Sequence, residues 1–314
     1  MNFSEYEYAT KKRLTRKEVF LKKMERVIPI QAWCEIIKPY YYENGNGRQP
    51  IGVDVMLKMY LVGNWFNMSD EATEDALYDS MAIKRYVGAT PDATTLCKFR
   101  KILEQNKLTK KIFEFQNQIF KQEGLILHEG TIVDATIIES PRNTEGAHTF
   151  KNNQHHYGTK AHIGVDKKSG IVHSISITPA NISDIDKAVD VLHGNEQEVY
   201  GDAGYVGIER RIDICEKFQN GTGELEYITQ HSHKKKHYYV LQKRPVQFLI
   251  CARRTKLSEP TKELTISKIR AKVEHAFCKL KFILNYRRTR YRTLHKNTSH
   301  LYTLFTLVNL SKVF

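Results

Sequence analysis

The sequence predicts a mixed α/β domain preceded by an all-helical region, and three observations carry that expectation. Apolar residues recur at helical spacing as far as Gly124. Beyond Gly130 the period changes to alternation in segments rich in β-branched residues. Strand-like and helix-like segments then follow one another towards a charged, amphipathic helix around Glu274.

The elements follow in chain order. The first 26 residues carry eight Lys and Arg between Lys11 and Arg26 and are expected to take fixed structure only on a partner. Val53, Met56 or Leu57, Tyr60, Leu61 and Trp65 make one apolar stripe. Ser69 before Asp70 and Glu71 reads as the capped start of a second helix, and Gly88 as the end of a third. Pro91-Asp92 opens another, with Leu96, Phe99 and Leu103 inward and Thr94, Lys98, Lys101 and Gln105 outward. A last helix is expected from Thr109 to Glu123, closed by Gly124. Three neighbouring antiparallel strands follow: Thr131 to Ser140, then Lys160 to Asp166 and Ile171 to Thr178 around the turn Lys167-Lys168-Ser169-Gly170. A helical stretch from Ile185 to His193, a strand from Glu198 to Gly201, a helix from Ile208 to Phe218 and a strand near Tyr227 to Thr229 precede the final helix, Arg270 to Lys281. Three strands, helix, strand, helix, strand, helix is the order of a ribonuclease-H-like mixed sheet with flanking helices. The expected division is a basic arm over residues 1–39, a helical domain over 40–125 and the sheet domain over 126–314.

Composition narrows the function. With 314 residues and 41% hydrophobic side chains the chain can fill a sizeable core. Its apolar runs are too short to cross a membrane, and its start is polar and basic rather than signal-like, so a cytoplasmic location is expected. Cys34, Cys97, Cys215, Cys251 and Cys278 are scattered, with no Cys-x-x-Cys pair to seed zinc or redox chemistry. The net charge is +14, and between His231 and His300 there are 19 Lys and Arg against three acids. Such a field attracts a polyanion, DNA or RNA first among them; a ribosome-like or merely solubilising surface is the alternative. A helix after a short turn with Lys98 and Lys101 outward suits a major groove, though the pattern also describes a solvated face.

Three carboxylates stand out. Asp134 lies in mid-strand on a face with Ile132, Thr136 and Ile138, where a lone buried charge needs a partner or a cation. Asp202 follows a short strand directly, at the edge where side chains reach into a cleft. Glu274 shares a helical stripe with Arg270 and Lys281. Each has a structural explanation by itself: a buried pair, a turn, a surface ion-pair network. Together they form a hard oxygen set suited to two Mg²⁺ or Mn²⁺ ions. Arg270 and Lys281 then read as phosphate contacts.

The stretches NWFNMSDEATEDALYDS, PDATTLCKFR, GTIVDATIIESP, KAHIGVDKKSG, GDAGYVG and RAKVEHAFCKLK, taken in order, resemble the insertion-sequence-five family of bacterial transposases over nearly the whole chain. The resemblance implies a ribonuclease-H-like core, an N-terminal DNA-binding domain and a catalytic, metal-binding triad falling on Asp134, Asp202 and Glu274. It maps the Arg and Lys of the related Tyr-x2-Arg-x3-Glu-x6-Lys signature to Arg270 and Lys281, with Ser267 at the Tyr position. His155 stands where similar proteins carry Trp, and Thr229 to Ile266 matches poorly. Implied with it are two bound divalent ions, cleavage at the ends of a mobile element, joining of the freed 3′-hydroxyls to target DNA, and a homodimer or larger assembly on DNA. A nuclease that cuts without joining, or an inactive copy retained as a DNA-binding protein, are the alternatives.

Overall fold

The computed structural model describes residues 12–41, 49–127, 129–151, 153–218, 225–230, 236–241, 246–251 and 260–313. The chain divides into two compact units, one of residues up to Phe113 together with those from Leu310, the other of Glu114–Asn309.

The first unit is helical where described: α1 (Arg16–Val27), α2 (Ile30–Ile37), α3 (Val53–Trp65), α4 (Asp70–Asp79), α5 (Met81–Val87) and α6 (Ala93–Gln105), leading into α7 (Leu108–Gln122). Over its described part the basic arm is helical. Thr15 accepts from the Glu18 amide while the Glu18 carboxylate accepts from the Thr15 amide, a reciprocal cap that fixes the start of α1. The α1 helix turns Leu21 and Met24 inward, and Phe20 meets Trp65 of α3 edge-on at 5.4 Å between ring centroids. Other starts and stops fall where their caps predict. Ser69 caps α4, Asp92 caps α6 by accepting from the Thr95 amide, and Gly88 ends α5 in the left-handed region at φ 89°. On α6, Leu96, Phe99 and Leu103 are buried while Thr94, Lys98, Lys101 and Gln105 are exposed.

The second unit is built on a six-stranded mixed sheet. Strand β1 (Gly130–Glu139) pairs antiparallel with β3 (Gln154–Asp166), which in turn pairs with β2 (Ala147–Lys151) along its first part and with β4 (Val172–Pro179) along the rest. On its other edge β1 pairs parallel with β5 (Glu198–Gly201), and β5 pairs parallel with β8 (Gln247–Ile250). The stretch Arg142 to Tyr157 contains β2 and the start of β3. One expectation is corrected here. The strand read near Tyr227 to Thr229 is β6 (Leu225–Gln230), and it pairs with β7 (Lys236–Leu241) in a separate two-stranded sheet. The outer strand of the main sheet is instead β8, from a stretch with no legible period.

Side-chain alternation gives the sheet two faces. Val133 and Val199 pack with Ala188 and Val191 of α8 (Ala188–Val191) and with Ile214, Cys215 and Phe218 of α9 (Ile212–Phe218). The helical stretches expected from Ile185 and from Ile208 each begin as a 3₁₀ turn. The long helix α10 (Pro260–Cys278) lies on β1 and β5 with Val273, Ala276 and Phe277 buried, and it continues through a π-helical turn, Lys279–Ile283. It begins ten residues before the expected Arg270. Helix α11 (Leu294–Val313) completes the order. Among the described residues no helix is long and apolar enough to cross a membrane.

Candidate active site

The parallel register of β1 and β5 builds the site. Gly130 stands opposite Glu198, Thr131 opposite Val199 and Ile132 opposite Tyr200. Carried two residues further, the same register sets Asp202, the residue after β5 ends, level with Asp134 in mid-β1. Neighbouring strands lie about 4.8 Å apart, so two carboxylates separated by most of the sheet's sequence become neighbours. The end of β5 is tightly packed: a Cβ at Gly201 would stand 2.9 Å from Ile250 Cδ1 and 3.1 Å from Tyr205 Cδ2. Beyond it the chain turns, and the Gly204 amide donates to Asp202 Oδ1 at 2.8 Å.

The Asp134 carboxylate is 16% exposed. Burial pushes its pKa up to about 6, opposed by the bond from the Ala135 amide to Oδ1 at 2.7 Å and reinforced by the charge of Asp202. Among the described residues it pairs with Arg270 of α10, whose Nη2 stands 3.9 Å from Asp134 Oδ2. Burial works against the Arg270 charge, but its Nη1 bond to Cys251 Sγ and the fields of Asp134 and Asp202 outweigh that and raise its pKa.

Glu274 is exposed on α10, one turn beyond Arg270. Among the described residues no three His, Cys, Asp or Glu side chains stand ready-grouped to hold a metal ion. Asp134 and Asp202 are brought together, and Glu274 lies along the helix that covers them. Lys281 donates from Nζ to the Ile137 carbonyl at 3.0 Å, and burial lowers its pKa. That bond uses one of three ammonium donors and ties the end of α10 to β1. Near its middle, Lys272 donates to the Lys167 and Lys168 carbonyls in the β3–β4 turn. Lys98 and Lys101 are on α6, in the other compact unit.

The structure adds residues that the sequence did not single out. A Cβ at Gly204 would meet Asp202 Oδ1 at 2.9 Å and Asp184 Oδ2 at 3.9 Å, so Asp184 is a third acid at this turn. Lys160 of β3 holds it, with Nζ 2.9 Å from Asp184 Oδ1 and bonded to the Ile182 carbonyl at 2.7 Å. His162 is fully buried beside the pair, bonded to Thr178 Oγ1; burial is the main reason its pKa falls to about 4. Lys160 and His162 thus both turn towards Asp184. The Tyr205 hydroxyl is buried with no hydrogen-bond partner among the described residues, and burial, then the charges of Asp134, Asp184 and Asp202, hold its pKa well above the usual range. Lys151, at the end of β2, acts on both Asp134 and Lys281. No periodic pattern marks Lys151 in the sequence, and Asp184 follows a Pro-Ala-Asn turn sequence.

The chain thus sets paired aspartates at the centre of a mixed sheet with a cation-bearing helix laid over them. Family comparison names it more closely. Residues 126–310 match the family described as Transposase DDE domain, and residues 9–102 match Transposase domain (DUF772). The chain belongs to the DDE-domain transposase family. It is also similar to a chain of a cryo-EM structure of piggyBac transposase in a synaptic complex with hairpin DNA. That match has 11% identity and a TM-score of 0.40, and covers 93% of this chain and 72% of that one.

Proposed function

We propose that this chain is an insertion-sequence transposase with a ribonuclease-H-like catalytic core, cleaving DNA at the ends of its element and joining the freed 3′-hydroxyls to a target. The observation that carries the reading is the register that sets Asp202 level with Asp134, beneath a helix bearing Arg270, Glu274 and Lys281. The donors suit a hard divalent cation: they are carboxylate oxygens, and Asp134 bears the cost of burial and of a like charge beside it. Asp134, Asp202 and Glu274 would hold Mg²⁺ or Mn²⁺. Bound there, such an ion would lower the pKa of an attacking water and offset negative charge on the phosphoryl oxygens.

The chain's own residues do the rest. Arg270 keeps a guanidinium beside Asp134 before DNA arrives and turns it to a phosphate oxygen when the carboxylate is otherwise neutralised. Lys160 fixes Asp184, which keeps acidic charge behind the Asp202 turn. Lys98 and Lys101, outward on α6, form a DNA contact in the N-terminal unit, where recognition of the element's ends is placed.

The test uses the full chain, labelled element ends and Mg²⁺, comparing wild type with Asp134→Asn and Glu274→Gln. Wild type is expected to release nicked ends and joined products, and each variant to lose both by more than the roughly ten- to hundredfold that loss of a ligand's supporting partner costs. Equal cutting and joining by both variants would refute the triad. Cutting without joining by wild type would favour a nuclease.

A further inference from the structure

Past Glu274 the helix ends in a way that its own stability does not require. The Leu284 amide bonds back to the Lys279 carbonyl, giving a π-helical turn, and Asn285 leaves it with φ 53°. Leu280, Leu284 and Tyr286 are buried, and the Tyr286 hydroxyl donates to Asn297 Oδ1, so the turn is anchored from beneath. The residue added by the wider turn places two large apolar side chains side by side in solvent: Phe282 is 62% exposed and Ile283 68%. Cations flank them along the chain, although Arg288 Nε stands 3.4 Å from Glu139 Oε2 of β1. From Lys279 to Lys296 the chain holds seven Lys and Arg and no acid, and the Arg287 guanidinium lies 4.4 Å from the centre of the Phe282 ring.

An apolar knob in such a setting fits a partner with flat apolar faces and a negative backbone, which is nucleic acid whose bases are accessible. A second copy of this chain, net charge +14, would meet the surface with a cationic excess of its own. Resting on the transposase reading, we infer that Phe282 and Ile283 form a wedge that unstacks a base step of the DNA close to the cleaved phosphate, while Arg287 and Arg288 grip the flanking phosphates. Glu274 to Phe282 spans about 12 Å along a helix axis, so the wedge acts within roughly three or four nucleotides of the cut.

The experiment places 2-aminopurine singly at each of the nucleotides flanking the cut and measures its fluorescence with full-length protein in the Asp134→Asn background, where no cutting interferes. Binding is followed separately by anisotropy. One position is expected to brighten severalfold, and Phe282→Ala to abolish that signal with about tenfold weaker binding, the scale of one lost base contact. Phe282→Trp should retain both the binding and an altered probe signal. In the background that retains Asp134, a mismatch at that step should restore cutting to Phe282→Ala. DNA binding without any Phe282-dependent probe change overturns the wedge and leaves the transposase reading intact; absence of DNA binding overturns both. Loss of self-association by Phe282→Ala, seen in sedimentation without a change at the probe, assigns the knob to a second copy and also overturns the proposal.

Discussion

Asp134 holds its proton at a pH where a surface aspartate has lost it, because burial and the Asp202 charge both oppose ionisation. Its folded pKa, about 6, lies above the ordinary 3.8, so it favours folding most below the ordinary value, and that contribution is lost as pH rises through about 6. Above that range the ionised side chain costs on the order of 2–3 kcal/mol in the metal-free protein. Asp134→Asn is therefore expected to raise the unfolding temperature at pH 8, to give less advantage at pH 5, and to reduce the stabilisation that Mg²⁺ gives the wild type. Thermal unfolding at both pH values checks this. An equal shift at the two would show that the carboxylate is not strained. At this scale the sequence was informative: an acid inside TIVDATIIE and one directly after a strand are visible without coordinates. Asp184 was not, because what marks it is a lysine from another strand.

The elements carry the site by packing rather than by composition. Gly201 lets Tyr205 and Ile250 close over the end of β5, and a methyl group there would meet both within about van der Waals contact or less. Gly201→Ala should therefore shift the Asp202 turn, lowering cleavage by ten- to a hundredfold while costing roughly 1–3 kcal/mol of stability. Parallel urea melts and cleavage assays separate the two effects, and unchanged cleavage would show that the turn tolerates the displacement. Element type was legible where period and caps agreed, as in α3, α4 and α6. It was lost where tertiary pairing decides: α1 was masked by a charge run whose cap lies in the Thr15–Glu18 pair, and β8 is a four-residue strand that only β5 defines.

For the whole molecule, net charge +14 and the cation-rich stretch through Lys296 predict DNA binding dominated by released counterions. The slope of log affinity against log salt should lie near −6 to −10, and replacing Arg287 and Arg288 together should reduce its magnitude by about 2. A salt titration with a fixed duplex measures it, and a slope near zero would exclude a phosphate-tracking surface. The architecture also bears on how such a chain can change over time. Asp134 and Asp202 are made neighbours by a backbone ladder, not by the length of chain joining them, and alternation would send either to the opposite face after a one-residue slip. Segments inserted between or beyond the two strands are thus free to grow, shrink or exchange, while the strands themselves tolerate no single-residue insertion between the ladder and its aspartate. Divergence in this lineage should accumulate as whole loops and hairpins, of which the β6–β7 pair, outside the main sheet, is the kind of addition expected.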